Sequence, residues 1–222
     1  SSLILLPTIG AFFLLFSKDK NSITIKYVAL FTSFVNFLIS IYLWLLFDPT
    51  TSNFQFVEDR EWLKGFINYK VGIDGISILF IILTTFITSL CIISVNNTIK
   101  NRLRDFLIAI LVMESLMIGV FCSLDLVIFY LFFEAGLIPM FLIIGIWGGT
   151  RRVYSAFKFF LYTLFGSVLM LVAIISIYWI SGTTDLIQLY KLGIDVKYQN
   201  LLWLAFFSSF AVKTPMWPVH TW

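Results

Sequence analysis

The sequence has 222 residues, of which 60% are hydrophobic and 12% are charged, whereas an average soluble domain has about 25% charged residues. This composition excludes a water-soluble globular protein and predicts a polytopic integral membrane protein. The net charge of +3 comes from Lys and Arg residues that lie almost entirely in short breaks between apolar segments, a pattern that reflects membrane topology and does not indicate a nucleic-acid partner.

The apolar segments predict an all-α, transmembrane helix bundle. A helix that crosses a bilayer needs about 20 mostly apolar residues, and the sequence provides that length repeatedly. Runs such as 76–95 lack the alternation of apolar and polar residues typical of membrane β-barrel strands. We expect about six complete helices and the start of a seventh that is broken by proline. The expected spans are 2–17, 27–47, 75–95, 106–123, 125–147 and 157–181, with the seventh beginning near residue 200.

The first span has neither a basic start nor an A-x-A-like cleavage site, so we interpret it as a transmembrane helix rather than a signal peptide. The loops after the first, third and fifth spans hold nine basic residues, and the opposite loops hold five. The more basic loops are therefore expected on the inner side and the N-terminus on the outer side. The sequon Asn96-Asn97-Thr98 falls on the inner side and is interpreted as chance. The nine basic residues are Lys18, Lys20, Lys26, Lys100, Arg102, Arg104, Arg151, Arg152 and Lys158.

Glu134 lies about ten residues into a span of about 23, near the expected midplane of the membrane. A charged side chain there costs about 2.5–3.5 kcal/mol on insertion scales, which makes each such residue a candidate for function. Pro139 cannot donate a backbone hydrogen bond to the carbonyl of Ala135, so we expect a kink beside the carboxylate.

Lys213 lies about thirteen residues into the seventh span. The fifth and seventh spans cross the membrane in the same direction, so Glu134 and Lys213 are expected at similar depth. Pro215 and Pro218 follow, and they free the carbonyls of residues 211 and 214. Helices interrupted in this way at mid-membrane depth are typical of transporter sites.

The pair Glu134 and Lys213 suits proton transport. At 4 Å and an effective dielectric of 20 a carboxylate and an ammonium attract each other by about 4 kcal/mol, so making or breaking the pair would switch the lysine between holding and releasing its proton. The alternative is that the two side chains pair only to fix the packing of the helices.

Three further residues are candidates for the same path. Glu114 lies inside the fourth span and either extends the polar track or forms a hydrogen bond between helices. Lys158 is near the inner end of the sixth span and either functions or extends to the lipid headgroups. His220 follows Lys213 by seven residues, two turns of a continuing helix, and is either a titratable relay or a satisfied interior histidine.

No cofactor or metal site is expected in these residues. His220 is the single histidine, which excludes a haem held by two histidines of this sequence. Cys91 and Cys122 are isolated, so they form neither an iron–sulfur ligand set nor a disulfide framework. The many Phe and Trp residues are interpreted as lipid-facing bulk and interfacial anchors.

Four segments spread from residue 71 to the last residue carry a resemblance to a known family. The sequence resembles the antiporter-like membrane-arm subunits of respiratory complex I, the NADH:ubiquinone oxidoreductase. The segments are 71–77 (VGIDGIS), 126–140 (LVIFYLFFEAGLIPM), 158–167 (KFFLYTLFGS) and 210–222 (FAVKTPMWPVHTW).

The resemblance implies that Glu134 and Lys213 are the Glu of the fifth helix and the Lys of the broken seventh helix that couple to proton translocation. It also implies that the sequence is the N-terminal half of a fold with two inverted repeats, with helices 1–3 in residues 1–105 and the start of the antiporter-like repeat in 106–222. A second chain or a C-terminal half is then expected to complete the fold. The remaining lysine, histidine and exit-side acid of a full proton path are absent from these residues.

The resemblance further implies partners and a location. Other membrane-arm subunits of complex I and lipids are expected partners. NAD, FMN, iron–sulfur clusters and ubiquinone are expected elsewhere in the complex, with no redox centre in this chain. Abundant Phe, Ile, Asn and Lys favour the mitochondrial inner membrane over a bacterial one. The alternatives are a subunit of a multisubunit cation/proton antiporter and a scaffold half that conducts nothing.

Overall fold

The computed structural model describes residues 1–17, 22–63, 67–95, 99 and 101–222. Lys18, Lys20, Lys64, Lys100 and the sequon 96–98 lie outside the described residues. In chain order the elements are α1 (Ser2–Phe16), α2 (Ser22–Leu45), β1 (Gln55–Leu63), β2 (Ile67–Ile73), α3 (Ser77–Ser94), α4 (Leu103–Cys122), α5 (Leu126–Ala135), α6 (Leu137–Trp147), α7 (Arg152–Ser181), α8 (Leu186–Leu192) and α9 (Val196–Lys213).

The expected helix bundle is confirmed. Five segments of the described chain are long and apolar enough to cross a membrane, and each corresponds to an expected span. α1 is apolar but shorter, with 15 residues. α9 begins at Val196, close to the expected start near residue 200. The five segments are Ile23–Leu45, Ser77–Ser94, Leu103–Cys122, Leu126–Trp147 and Arg152–Ser181.

Three elements between the spans were not expected. β1 and β2 pair in a two-stranded sheet in the loop between α2 and α3, and α8 lies in the loop between α7 and α9. β2 has Ile67, Tyr69, Val71 and Ile73 at alternating positions, a pattern that indicates a strand. The Asp185 cap before α8 and Gly193 after it are likewise helix boundary signals.

The chain forms two compact units, which are described separately. Unit 1 comprises Ser1–Glu58 and Val71–Ser123 and contains α1 to α4. α1 packs against α2 and α4, and α3 packs against α2 and α4. Gly10 allows the close approach of α1 and α2, because a Cβ at this position would lie 2.4 Å from the Thr32 Cγ2 atom. The core includes Leu14, Ala29, Ile92, Leu107 and Leu111.

Unit 2 comprises Asp59–Lys70 and Leu124–Trp222 and contains α5 to α9. α7 packs against α5, α6 and α9. Gly166 brings α7 close to α9, since a Cβ there would lie 3.1 Å from the Val212 Cβ atom. The core includes Leu126, Met170, Ala173, Ile174 and Leu202. The expected division at residues 105 and 106 refers to a repeat, which these units do not test, and it stays a prediction.

Many large apolar side chains point outward. Phe165 is 76% exposed and Trp179 is 88% exposed, and both lie on α7. Such wide apolar exposure suits helices that are surrounded by lipid.

Candidate functional site

Glu134 is the second-last residue of α5. The Asp125 carboxylate caps the start of this helix by accepting hydrogen bonds from the backbone N–H groups of Val127 and Ile128. The apolar span is interrupted at Gly136, between α5 and α6. Pro139 is the third residue of α6, where a proline is tolerated because N–H groups in the first turn have no helical acceptor. The break therefore places Glu134 beside a helix C-terminus.

Lys213 is the last residue of α9. Pro215 leaves the carbonyl of Ala211 without its usual helical donor, but the Met216 N–H donates to it at 2.8 Å. The expectation that this carbonyl is free is therefore wrong, because the next residue of the turn satisfies it. The expected helix break is present, since α9 ends at Lys213 and the chain continues as turns.

The Lys213 ammonium lies at the C-terminal end of α5. Its Nζ atom donates to the Phe133 carbonyl at 3.3 Å and lies 4.2 Å from the centre of the Phe133 ring. The carbonyl end of a helix favours a positive charge, and an aromatic face adds a cation–π contact. These two partners hold the ammonium one residue from Glu134.

Neither carboxylate oxygen of Glu134 has a hydrogen-bond partner at normal distance among the described residues, although both oxygens are buried. The carboxylate lies within electrostatic range of the Lys213 ammonium and beside the Ser167 hydroxyl of α7. The structure thus brings the two predicted residues together as neighbours, with the lysine bonded to the α5 backbone.

Tyr130 and Ser167 are functional candidates that the sequence reasoning missed. Tyr130 precedes Glu134 by one helical turn and lies near both Ser167 and Glu134. The Ser167 hydroxyl also donates to the Leu164 carbonyl at 2.9 Å. The spacing of Tyr130 and Glu134 was a usable signal, whereas nothing in the sequence places Ser167 beside α5.

Glu114 lies in unit 1, not in unit 2 with Glu134 and Lys213. It is 2% exposed and accepts a hydrogen bond from the Asn36 Nδ2 atom at 2.8 Å. Asn36, on α2, was not singled out from the sequence, because a neutral polar residue in an apolar span is common.

Lys158 and His220 do not contact the Glu134 and Lys213 side chains in any hydrogen bond of the described residues. The half-buried Lys158 ammonium donates to the Thr221 carbonyl. His220 is exposed and follows the end of α9, so the helical spacing of two turns from Lys213 does not apply. Across the described residues, no group of three or more His, Cys, Asp or Glu side chains is arranged to hold a metal ion.

Similarity to known proteins covers the whole chain. Residues 123–222 match the family described as "NADH:quinone oxidoreductase/Mrp antiporter, TM". The NADH-quinone oxidoreductase subunit M of Rhodobacter capsulatus is 56% identical over 219 residues, which cover 93% of this chain and 42% of that protein. The NADH-ubiquinone oxidoreductase chain 4 of Marchantia polymorpha is 48% identical over 100% of this chain and 45% of that protein.

A solved structure shares the fold. In the respiratory complex I of Thermus thermophilus with bound NADH, one chain matches with a TM-score of 0.87 and 30% identity, over 100% of this chain and 45% of that chain. The chain therefore spans less than half the length of these relatives. By these matches it is similar, over its whole length, to NADH-quinone oxidoreductase subunit M and NADH-ubiquinone oxidoreductase chain 4, and its residues 123–222 match the NADH:quinone oxidoreductase/Mrp antiporter transmembrane family.

Proposed function

We propose that the chain is part of a proton-translocating membrane-arm subunit of respiratory complex I, in which quinone reduction elsewhere in the complex drives proton pumping. Its relatives named subunit M and chain 4 of NADH-quinone and NADH-ubiquinone oxidoreductases support this assignment. The observation that carries the site is the Lys213 ammonium on the Phe133 carbonyl, next to the buried Glu134 carboxylate.

The geometry suggests how the pair would work. In the arrangement described, Lys213 bonds to the α5 backbone, and Glu134 lacks a hydrogen-bond donor at normal distance among the described residues. Rotation of the lysine side chain from the carbonyl to the carboxylate would close an ion pair worth about 4 kcal/mol at 4 Å and an effective dielectric of 20. The closed pair retains the lysine proton. Opening the pair replaces the carboxylate with the neutral carbonyl and ring of Phe133, which attract the ammonium less strongly, and so favours release of the proton to a neighbouring acceptor.

The other candidates stay predictions within this proposal. Glu114, Lys158 and His220 would extend the path, and Pro139, Pro215 and Pro218 would keep the helices broken where protons pass. The hydroxyls of Tyr130 and Ser167 add two groups that can both donate and accept near Glu134.

The test is a charge-neutralising change in the assembled complex. Glu134→Gln in complex I reconstituted into vesicles is expected to lower the number of protons pumped per quinone reduced. Glu61→Gln is the matched control, because Glu61 is exposed on β1. A pumping stoichiometry in Glu134→Gln equal to that of the control would reject the role of this carboxylate.

A second candidate function is a subunit of a multisubunit cation/proton antiporter. The description of the matching family, which includes the Mrp antiporter, favours it. Iron–sulfur and flavin subunits in the purified assembly would support complex I, whereas sodium-dependent proton exchange without them would support the antiporter.

The third alternative is a scaffold half that conducts nothing. It predicts that Lys213→Ala leaves turnover and coupling intact. The transport proposals instead predict that Lys213→Ala lowers pumping and that Lys213→Arg lowers it too, because a guanidinium keeps the positive charge but does not release a proton.

The proposal includes partners, cofactors and a location. The partners are the other membrane-arm subunits, lipids, and a second chain or further sequence that completes the fold, which an intact-mass measurement of the native polypeptide would identify. NAD, FMN, iron–sulfur clusters and ubiquinone are assigned to the rest of the complex, and this subunit carries no redox centre. The location is the mitochondrial inner membrane, with several passes, because 25 Phe residues with abundant Ile, Asn and Lys suit a biased mitochondrial genome.

A further inference from the structure

Unit 1 contains a buried acid that the proposed Glu134 and Lys213 mechanism does not need. Glu114 on α4 is 2% exposed, and its partner Asn36 on α2 is fully buried. The Asn36 Nδ2 atom donates to the Glu114 Oε1 atom at 2.8 Å. The carboxyl group is thus held by a neutral amide in the interior of a helix bundle.

Two atoms of this contact have no hydrogen-bond partner among the described residues. They are the second carboxyl oxygen, Glu114 Oε2, and the amide oxygen, Asn36 Oδ1. Both are acceptors if the acid is ionised, so neither can satisfy the other. A proton on Oε2 changes this, because the resulting hydroxyl can donate to Oδ1.

We propose that Glu114 holds a proton in the interior of unit 1 as a neutral carboxylic acid, paired with the Asn36 amide through two hydrogen bonds. The amide N–H donates to Oε1, and the acid O–H on Oε2 donates to Oδ1. Both partnerless atoms become satisfied, which is the normal condition of buried polar groups. This site is separate from the Glu134 and Lys213 pair and does not depend on the function proposed for them.

The charges around Glu114 are consistent with a neutral acid. α4 packs against α1, α2 and α3. α1 has no ionisable side chain, and the terminal ammonium of Ser1, which precedes it, pairs with the Glu58 carboxylate at 2.8 Å. The cations nearest in sequence to the pair are Lys26 and Arg104, each ten residues away along its helix, which is about 15 Å. An ionised carboxylate without a cation is costly to bury. The remaining ionisable groups on these helices are Tyr27, Tyr42, Cys91, Asp105 and Cys122.

Neighbouring contacts hold the two helices in register for this pair. Ser115, the residue after Glu114, donates to the Ile4 carbonyl of α1 at 2.5 Å. Ser40, one turn after Asn36, lies 3.0 Å from the Thr85 hydroxyl of α3. These contacts fix the position of α4, which carries the acid, and of α2, which carries Asn36. The carboxyl group therefore has little freedom to find another partner.

Infrared difference spectroscopy of the complete complex in lipid nanodiscs tests the proposal. The difference between wild type and Glu114→Gln at neutral pH is expected to contain the C=O stretch of a protonated carboxyl group. Glu61→Gln, which alters an exposed acid, is the control and should show the loss of carboxylate bands only. Loss of carboxylate bands in Glu114→Gln would overturn the proposal.

Two further outcomes are informative. Gln at position 114 can form both hydrogen bonds with the Asn36 amide, so Glu114→Gln should assemble with an unchanged melting temperature, and failure to assemble would also contradict the neutral pair. Asn36→Leu removes both bonds to the acid. The C=O stretch of Glu114 should then move to higher frequency, a shift that a purely steric role of Asn36 would not produce.

Discussion

The Ser167 hydroxyl of α7 lies close to two polar groups of α5 in unit 2. It lies beside the Glu134 carboxylate and near the Tyr130 hydroxyl, and it donates to the Leu164 carbonyl of its own helix. A hydroxyl that both donates and accepts can reorient between these partners. Ser167 is therefore well placed to influence the proton exchange that we propose for Glu134.

Replacement of this hydroxyl gives a prediction for a single residue. Ser167→Ala should lower the proton-pumping rate by a factor of about 2 to 10, because a hydrogen bond that the hydroxyl forms to Glu134 during proton transfer would contribute about 0.5–1.5 kcal/mol. The measurement is pumping by the reconstituted complex. Ser176→Ala is the control, since Ser176 lies on the same helix and its hydroxyl makes the same kind of bond, to the Val172 carbonyl at 2.8 Å. Equal rates in the two variants would remove Ser167 from the site.

The sequence identified the charged residues of the site but not their neutral neighbours. Glu134 and Lys213 stand out because charges are rare inside apolar spans. Ser167, Tyr130 and Asn36 do not, since neutral polar residues are common in such helices. Their relevance depends on which helix faces become neighbours, and that follows from packing between segments distant in the sequence.

Three helices of the described chain begin with an aspartate cap. α5, α8 and α9 each begin after an aspartate whose side chain accepts a hydrogen bond from a backbone N–H group of the first turn. Asp125, before α5, does more than Asp195, before α9, because its Oδ2 atom also accepts a bond from the Thr184 hydroxyl at 2.6 Å. Asp125 is 3% exposed, so its partners cannot easily be replaced by water.

The cap of α5 is therefore expected to matter more than the cap of α9. Asp125→Ala should destabilise the protein by about 1–2 kcal/mol through loss of the cap alone. The destabilisation should be larger in total, because the buried Thr184 hydroxyl would lose its hydrogen-bond acceptor. Asp195→Ala is the comparison, because Asp195 is exposed and accepts a single bond from the Lys197 N–H at 3.3 Å. Thermal unfolding in nanodiscs should show the larger decrease in melting temperature for Asp125→Ala.

Hydropathy predicted the spanning elements well and the connecting elements poorly. Long apolar segments have one solution in a bilayer, so their helices follow directly from composition. β1, β2 and α8 lie between the spans, where short segments with mixed residues give weak signals. The Lys70 ammonium, in β2, bonds to the Asp185 carboxylate at 2.5 Å. This contact joins the strand to the α8 cap across 115 residues of sequence, which no local pattern indicates.

Basic residues lie beside helix ends in both compact units. In unit 1, Arg104 at the start of α4 donates to the Ser17 carbonyl after α1, so these two ends lie on one side. At the other end of unit 1, Val71 pairs with Ser123. In unit 2, Arg151 and Arg152 lie between α6 and α7. The expectation that these more basic ends face inward stays a prediction.

Labelling of single cysteines tests the orientation of the whole molecule. In a background of Cys91→Ser and Cys122→Ser, Thr150→Cys should react with a membrane-impermeant maleimide only from the matrix or cytoplasmic side. Asn53→Cys should react only from the opposite side. Both positions are exposed and lie outside the helices. The reverse labelling pattern would show that the basic loops face outward.

Gly166 has only a hydrogen atom as its side chain, and this allows α7 to lie close to α9. A single added methyl group would meet Val212 at 3.1 Å, and Val212 directly precedes Lys213. Small changes in the separation of these helices would therefore be transmitted to the ammonium. Lateral compression of the surrounding bilayer would therefore act on this lysine through an apolar contact.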